Sequence, residues 1–565
     1  MEVAVPLTSK PRTARRAPST GGPRPGPEPV IDLGAGFGAR GPDLLPLDAG
    51  EHYRFGFDMG ACIGCHSCEV ACAEQNGLPD GTAWRRVGEI EGGDHPHTRR
   101  FHVSMSCNHC LEPACLEGCP TNAYEKLANG IVAHHAEDCI GCQYCTWTCP
   151  YSVPAFQPDR RIVTKCDMCQ PRLAEGYAPA CVAACPTHAI TVEKIDVAAW
   201  RADHAAADAP LLPSGEITLS TTRIMVPAGV PADAFAAGDW DVRPEDPHWP
   251  LVWLTVLSQV AVGMSATAGT AGSRALAAVL AVAAMAGAVL HLGRPVVAWK
   301  ALRNVRRSWL SREVALLSLY GLLAAGAAAV PTLAGPAAVV GAAGLYASGR
   351  LYVVPGRPAW DTPLTIVRFA ATAAAVGPVL TGHSGVAAAA AGVGVAATAL
   401  NWWRLSSRPG RALRPLRPRL PNRPRFPGRR NRPRFPGRSV RPDRPGQVRR
   451  AAGSRGVGPA DGTGRPVSLR AHPSRRSRRA DRADRARRAG PASVRLELGR
   501  FGPWSAARVA LTAAGAAAAL AGAPALVAFG LLGTAELIGR WLFYVTVVPL
   551  DMPRSFWRHP AGAPR

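Results

Sequence analysis

Cysteine is missing from this 565-residue chain before position 62 and after position 185. The long C-terminal part therefore has no thiol with which to close a disulfide or hold a metal. Residues 1–50 lack hydrophobic periodicity and are rich in Pro, Gly, Arg and Thr, which excludes a packed core and predicts a disordered basic arm. No apolar stretch follows Arg15-Arg16, so no export signal is expected there. Between 408 and 488 there is neither Lys nor Glu: 27 Arg stand against 4 Asp, a surplus of 23 in a formal net charge of +25. The rest of the chain is close to neutral, so its overall charge is no argument for a nucleic-acid partner. Also missing are a phosphate-binding glycine loop, a nucleophile triad and a domain large enough for a bulky organic cofactor. No substrate chemistry at a site of that kind is expected.

What is present is concentrated. Sixteen cysteines form four groups of four: Cys62, Cys65, Cys68, Cys72; Cys107, Cys110, Cys115, Cys119; Cys139, Cys142, Cys145, Cys149; and Cys166, Cys169, Cys181, Cys185. The first and third have C-x2-C-x2-C-x3-C spacing, and Pro follows the last Cys of the second, third and fourth groups. Disulfides need an oxidising compartment, and zinc knuckles are usually separated by a dozen or more residues. Runs such as CIGCHSCEVAC instead suit multi-iron clusters, in which three thiolates of one loop hold three corners of a cube and the fourth serves a neighbour. Sixteen ligands in this pattern predict four [4Fe–4S] clusters.

Residues 51–200 are expected to form the cluster domain. Strand-like runs at Tyr53-Arg54-Phe55-Gly56-Phe57, His102-Val103-Ser104-Met105 and Ile162-Val163-Thr164 precede three of the groups. Residues 201–248 read as an extended polar connector laid over the domain surface. From Trp249, apolar stretches run at 250–270, 275–292, 315–333, 336–354, 363–382, 384–403, 505–523 and 524–549, each approaching the roughly 20 residues that cross a hydrocarbon core. Their Ala and Gly content predicts close helix packing. The resulting organisation is six transmembrane helices in 249–404, an Arg/Pro-rich disordered insert in 405–500, two more helices in 501–550 and a cytoplasmic tail, 551–565. The predicted fold class is an α+β ferredoxin-like four-cluster domain followed by an all-α eight-helix transmembrane bundle.

Charge sets the expected sidedness. Arg294, Lys300, Arg303, Arg306, Arg307 and Arg312 follow the second span, Arg350 and Arg357 the fourth, the insert the sixth, and Arg554 and Arg558 the eighth. Near the alternate turns Arg274 is the only formal charge. The positive-inside rule puts the cationic loops and the cluster domain on the cytoplasmic side of a multi-pass cell-membrane protein. The insert repeats NRPRFPGR twice, and so much Pro and like charge reads as a solvated linker rather than a lipid- or nucleic-acid-binding element.

Residues 53–196 resemble the electron-transfer (B) subunit of dimethyl-sulfoxide-reductase-type molybdoenzymes, through the four groups and the phrases SCNHCLEPAC, DCIGCQYCTWTCPY and TKCDMC. Residues 248–404 and 505–557 resemble the membrane-anchor (C) subunit, through HWPLVWLTVLSQ, LHLGRP, SWLSRE, RPAWDTP and AELIGRWLFYV. The resemblance implies cross-paired ligands: Cys62, Cys65 and Cys68 with Cys185; Cys166, Cys169 and Cys181 with Cys72; Cys107, Cys110 and Cys115 with Cys149; Cys139, Cys142 and Cys145 with Cys119. It implies a quinol site at His291 and Glu313, and Arg294 is placed to orient either. Menaquinol from the membrane quinone pool would be oxidised there, and its electrons would pass through the clusters to a separate molybdopterin-containing catalytic subunit. In the reverse direction the chain would reduce quinone with electrons from formate or a sulfur compound. A haem-bearing anchor would need facing histidines, whereas His291 and His383 fall at opposite membrane faces. Quinol oxidation releases protons, and a His and a Glu at the cluster-side ends of two spans are suited to accept them. Glu536 and Arg540, four apart, are expected to pair on one helical face, while Arg368 has no evident partner. No specific nucleic acid is expected.

Overall fold

The computed structural model describes residues 47–407 and 490–550, apart from 81, 93–95, 210–211, 229, 231–234 and 237–243. The expected disordered arm up to 46, the Arg-rich insert from 408 to 489 and the tail 551–565 lie outside the described residues.

Among the described residues the N-terminal half carries ten short strands: β1 Glu51–Asp58, β2 Arg86–Gly92, β3 Arg99–Met105, β4 Tyr124–Lys126, β5 Val132–His134, β6 Ala155–Gln157, β7 Ile162–Thr164, β8 Ile190–Asp196, β9 Arg223–Met225 and β10 Phe235–Ala236. They form two three-stranded sheets, β8-β1-β9 and β10-β2-β3, and two hairpins, β4-β5 and β6-β7. Alternation sets the faces: Tyr53, Phe55 and Phe57 of β1 turn inward, with Ile90, Val103 and Met105 of the second sheet, into one core. β8 runs antiparallel to β1, pairing Glu51 with Asp196 through Phe57 with Ile190. Short helices lie in or just after the cysteine groups: α1 Ser67–Gln75, α2 Ala114–Gly118, α3 Tyr144–Thr148, α4 Gln170–Ala174 and α5 Ala180–Ala183. A sixth, α6 (Val197–Ala202), follows β8.

The stretch 201–248, expected as a connector over the surface, is instead built into the domain. β9 lies parallel beside β1, β10 adds to β2, Ala207 and Leu212 are buried, and Trp200 Nε1 donates to Ser220 O at 2.9 Å. Strands of three and two residues are too short to leave a periodic signal.

Eight long helices follow: α7 Trp249–Thr267, α8 Ala271–Leu290, α9 Trp309–Ala329, α10 Ala334–Leu351, α11 Pro363–Val376, α12 Ser384–Ser406, α13 Gly502–Leu520 and α14 Ala525–Val545. Their starts follow capping chemistry: Thr270 and Ser273 form a reciprocal capping box, Ser308 caps α9, and Thr362 caps α11 with Pro363 as its first residue. Six of the expected eight spans (α7, α8, α9, α11 with its continuation to Thr381, α12 and α14) are long and apolar enough to cross a membrane. Helices α10 and α13 have similar length, but their Gly and Ala content, with Arg350 in one and Arg508 in the other, leaves them less apolar. α7 is the central helix, packed against α8, α10, α11 and α14.

Glu536 meets a different partner from the one expected. Arg508 of α13 lies 3.6 Å from it and Thr372 Oγ1 donates to it at 2.7 Å, whereas Arg540 donates to the fully buried Gln259 at 2.8 Å and stacks 3.9 Å over the Phe369 ring. The i,i+4 rule sees one helix only, and the stronger geometry lies across the hairpin. Arg368 sits 5.4 Å over the ring of Phe543.

Helices α7 and α11 touch backbone to backbone. A Cβ on Gly263 would stand 2.0 Å from Ala373 O, and one on Gly377 would stand 2.4 Å from Met264 N. Gly263→Val must push these helices apart, at a cost of roughly 1–3 kcal/mol or more. The thermal unfolding midpoint of the detergent-solubilised chain is therefore expected to fall by several degrees.

Candidate iron–sulfur relay and its membrane junction

All sixteen cysteines are free, and fifteen are buried or half-buried; Cys65 is exposed. Their spatial neighbours cross the groups read in sequence. Cys62 lies in the field of Cys185 and Cys65, and Cys72 in that of Cys181 and Cys169. Cys149 faces Cys110 and Cys107, and Cys145 faces Cys142, Cys139 and Cys119. Between these sets, Cys68 lies in the field of Cys181, and Cys166 in that of Cys107.

Local backbone conformation makes these loops. Gly64 and Gly141, each between the first two cysteines of its group, both have φ +70°, and the residues that open α1 and α3, His66 and Gln143, are left-handed at φ 61° and 59°. Such turns curl the chain so that donors face the sulfurs. The backbone N–H groups of His109, Ala123 and Met168 donate to Cys107, Cys119 and Cys166 at 3.5, 3.3 and 3.3 Å. Thr218 Oγ1 donates to Cys110 Sγ at 3.1 Å, and Asn76 Nδ2 points to Cys72 Sγ at 3.7 Å.

The donor set fits iron–sulfur clusters better than single ions. Among the described residues no three Cys, His, Asp or Glu side chains converge tightly enough to hold one metal ion. Burial first, and then the sulfurs of Cys119 and Cys139, push the Cys142 thiol up to about 12 against a backbone hydrogen bond from Tyr144. Burial and neighbouring sulfurs likewise push Cys149 up to about 12. Thiols so placed ionise only when a cation, such as cluster iron, takes the place of the proton. Buried cations are already at hand. Lys165 is 3% exposed and bonds the carbonyls of Val132 and Cys166, facing Cys107, Cys115 and Cys166. Lys126 donates to the carbonyls of His109, Cys110 and Gly130, and burial holds its ammonium down at about 8.

The third cysteine group is seated on the helix ends. A Cβ on Gly141 would lie 2.3 Å from Arg161 O and 2.9 Å from the Cα of Gly293, just past α8. Donors from the membrane half take the outward-facing carbonyls: His291 Nε2 that of Cys142 at 3.3 Å, Asn304 that of Cys119 at 2.7 Å, and Ser308 that of Gly118 at 2.8 Å. Arg294 gives its backbone N–H to Ile140 O and its Nη1 to Ala136 and Cys139 carbonyls at 3.0 and 3.3 Å, so its side chain is committed to the cluster loops. Lys300 and Arg303 pair with Asp138 at 2.9 and 2.7 Å. In return, Tyr144 Oη donates to Leu351 O at 2.7 Å.

Glu313 is 4% exposed near the start of α9, with Ser348 as hydrogen-bond partner and with Tyr144, Tyr352 and Tyr544 in its electrostatic range. His291 lies with its ring 5.9 Å from that of His248. Between cluster loop and bundle stands Trp147, whose ring centroid is 5.2 Å from His248, 6.0 Å from Tyr352 and 6.2 Å from Tyr544; the two tyrosine hydroxyls are 2.6 Å apart.

Comparison with known proteins bears on both halves. Residues 98–195 match the family described as a 4Fe-4S dicluster domain, and residues 245–393 match the DMSO reductase anchor subunit (DmsC). The sequence is 39% identical over 173 residues to the B chain of the anaerobic dimethyl sulfoxide reductase of Haemophilus influenzae, covering 29% of this protein and 84% of that one. It is also 39% identical over 167 residues to the corresponding protein of Escherichia coli, covering 28% and 82%. The B subunit of the sulfite dehydrogenase of Allochromatium vinosum is 36% identical over 154 residues, covering 23% and 64%. This protein belongs to the dimethyl sulfoxide reductase family. It joins a B-type 4Fe–4S electron-transfer domain to a C-type membrane anchor in one polypeptide.

Two residues of the B-type half, Arg85 and Thr218, belong to no spacing rule and to none of the phrases that carry the resemblance, whereas His109 and Lys165 lie inside such phrases without their partners being legible there. Trp147 and Tyr544 lay inside phrases carrying the resemblance, but nothing in one dimension brings them together. Thr218→Val tests the reach of the 201–248 stretch. Losing an O–H···S bond worth about 1 kcal/mol should lower the potential of the nearest cluster by some tens of millivolts, read by potentiometric EPR titration.

Proposed function

We propose that this chain is the electron-transfer and membrane-anchor subunit of a respiratory molybdoenzyme complex, oxidising menaquinol at the membrane and delivering electrons to a separate molybdopterin catalytic subunit. The supporting observation is the junction itself: His291 bonds the Cys142 carbonyl, and the buried Glu313 lies within electrostatic range of Tyr144, two residues further along the same loop. Two groups able to take protons thus abut the loop of Cys139, Cys142 and Cys145.

The ligand sets are Cys62, Cys65, Cys68 with Cys185; Cys72 with Cys166, Cys169, Cys181; Cys107, Cys110, Cys115 with Cys149; and Cys119 with Cys139, Cys142, Cys145. The cross-group adjacency of the sulfurs supports them. When bound, four [4Fe–4S] clusters carry single electrons. Cys119, Cys139, Cys142 and Cys145 lie against the membrane half and would hold the cluster nearest the quinol site. That of Cys62 and Cys185, with the exposed Cys65, lies towards the partner. At the quinol end, Glu313 and His291 accept the two protons, Arg294 fixes the cluster loop beside them, and the Trp147–Tyr352–Tyr544 wall keeps water from the ring. All eight helices span the bilayer, and the cluster domain and cationic loops lie on the cytoplasmic side.

Two measurements test this reading. Anaerobically purified chain should hold about sixteen irons and sixteen acid-labile sulfides. Glu313→Gln should slow cluster reduction by menaquinol about a hundredfold or more while leaving reduction by dithionite intact. Unchanged quinol kinetics in that variant, or zinc in place of iron, would sink the proposal.

A further inference from the structure

One charge in the cluster domain has no part in the reading above. Arg85, just before β2, is 2% exposed. Its Nη1 donates to Ser104 Oγ at 3.1 Å and Ser104 O at 3.4 Å, its Nη2 donates to Ser106 Oγ at 2.9 Å, and its guanidinium lies 4.7 Å over the Phe55 ring. The Nε has no hydrogen-bond partner, and among the described residues no carboxylate stands within ion-pair distance. A guanidinium cannot shed its proton, and taking it out of water without an opposite charge is strongly unfavourable. The sulfurs that face it are those of Cys181, Cys68, Cys166, Cys72 and Cys62. Ser104 joins the two sides, since its hydroxyl also lies 3.4 Å from Cys68 Sγ. Cys62 and Cys68 belong to one ligand set and the other three cysteines to the next, so Arg85 stands in the gap between two sets.

We propose that Arg85 is a fixed counter-cation shared by the clusters on Cys62/Cys65/Cys68/Cys185 and Cys72/Cys166/Cys169/Cys181, and that it raises the reduction potential of both. This rests on the cluster assignment above. Each electron accepted makes a cluster one unit more negative, and a positive charge held nearby in a dry core favours that form. With three of the five facing sulfurs in the second set, the larger effect falls there. Arg85 thereby keeps those two clusters reducible by the pair nearer the membrane and gives the relay its direction.

The test is a potentiometric EPR titration of the full chain with its clusters, each signal assigned by a Cys→Ser substitution in its set. Arg85→Gln should shift the Cys72/Cys166/Cys169/Cys181 cluster at least tenfold towards the oxidised form, a fall of about 59 mV for one electron. The Cys62 set should fall by less, and the other two should stay at their parental potentials. Arg85→Lys, which keeps the charge, should hold the second set within about threefold of the parent. If Arg85→Gln does not retain iron, Ser106→Asp sets a carboxylate against the guanidinium and carries the same expectation with the arginine in place. Unmoved potentials in the neutralised variants, or an equal fall in Arg85→Lys, overturn the role of Arg85 while leaving the clusters standing. A parent chain without iron overturns both.

Discussion

The orientation of peptide groups around the third cysteine loop is the constraint from which the rest follows. Its N–H groups and those of neighbouring loops turn inward to the sulfurs, and its carbonyls turn outward to His291 and Arg294 of the membrane half, as those of Gly118 and Cys119 in the second group turn to Ser308 and Asn304. One arrangement thus does two things. Each outward carbonyl that finds a donor frees the loop from bending back on itself, and the inward N–H groups keep their aim. The two glycines at the contact, Gly141 and Gly293, are required because Arg161 O already fills the space a Cβ would take at either. Docking and cluster geometry are therefore one structural fact, set by backbone more than by side-chain identity.

The same contact changes how the cationic loop after α8 is understood. In sequence, Arg294, Lys300 and Arg303 count as markers of membrane sidedness. In the fold they are engaged, Arg294 with loop carbonyls and the other two with Asp138. Charges that orient a helical hairpin during insertion can later hold a domain, and in this chain they do. Inside the cluster domain Arg85, Lys126 and Lys165 all face cysteine sulfurs, Lys165 with Asp167 beside them.

Much of this was legible in one dimension. Cysteine spacing marked the cluster domain, strand-like runs marked β1, β3 and β7, and apolar runs located each long helix to within six residues. What escaped shares a cause: it depends on partners far apart in the chain. Arg508 reaches Glu536 across a hairpin, Thr218 reaches Cys110 across 108 residues, and β9 joins β1 with only three residues. The shortfall in apolarity of α10 and α13 is of the same kind. Arg350 lies over the Trp309 ring and Arg508 beside Glu536, neighbours that only the fold supplies.

The final hairpin, α13 and α14, brings Arg508, Glu536 and Arg540 into the bundle, where Gln259, Thr372 and Phe369 of earlier helices receive them. A helix pair with that much polarity is poorly disposed to stay in lipid on its own. Its reception sites exist only once α7 and α11 are already in place. The last two helices thereby close the bundle at the point where α7 and α11 supply partners for their charges.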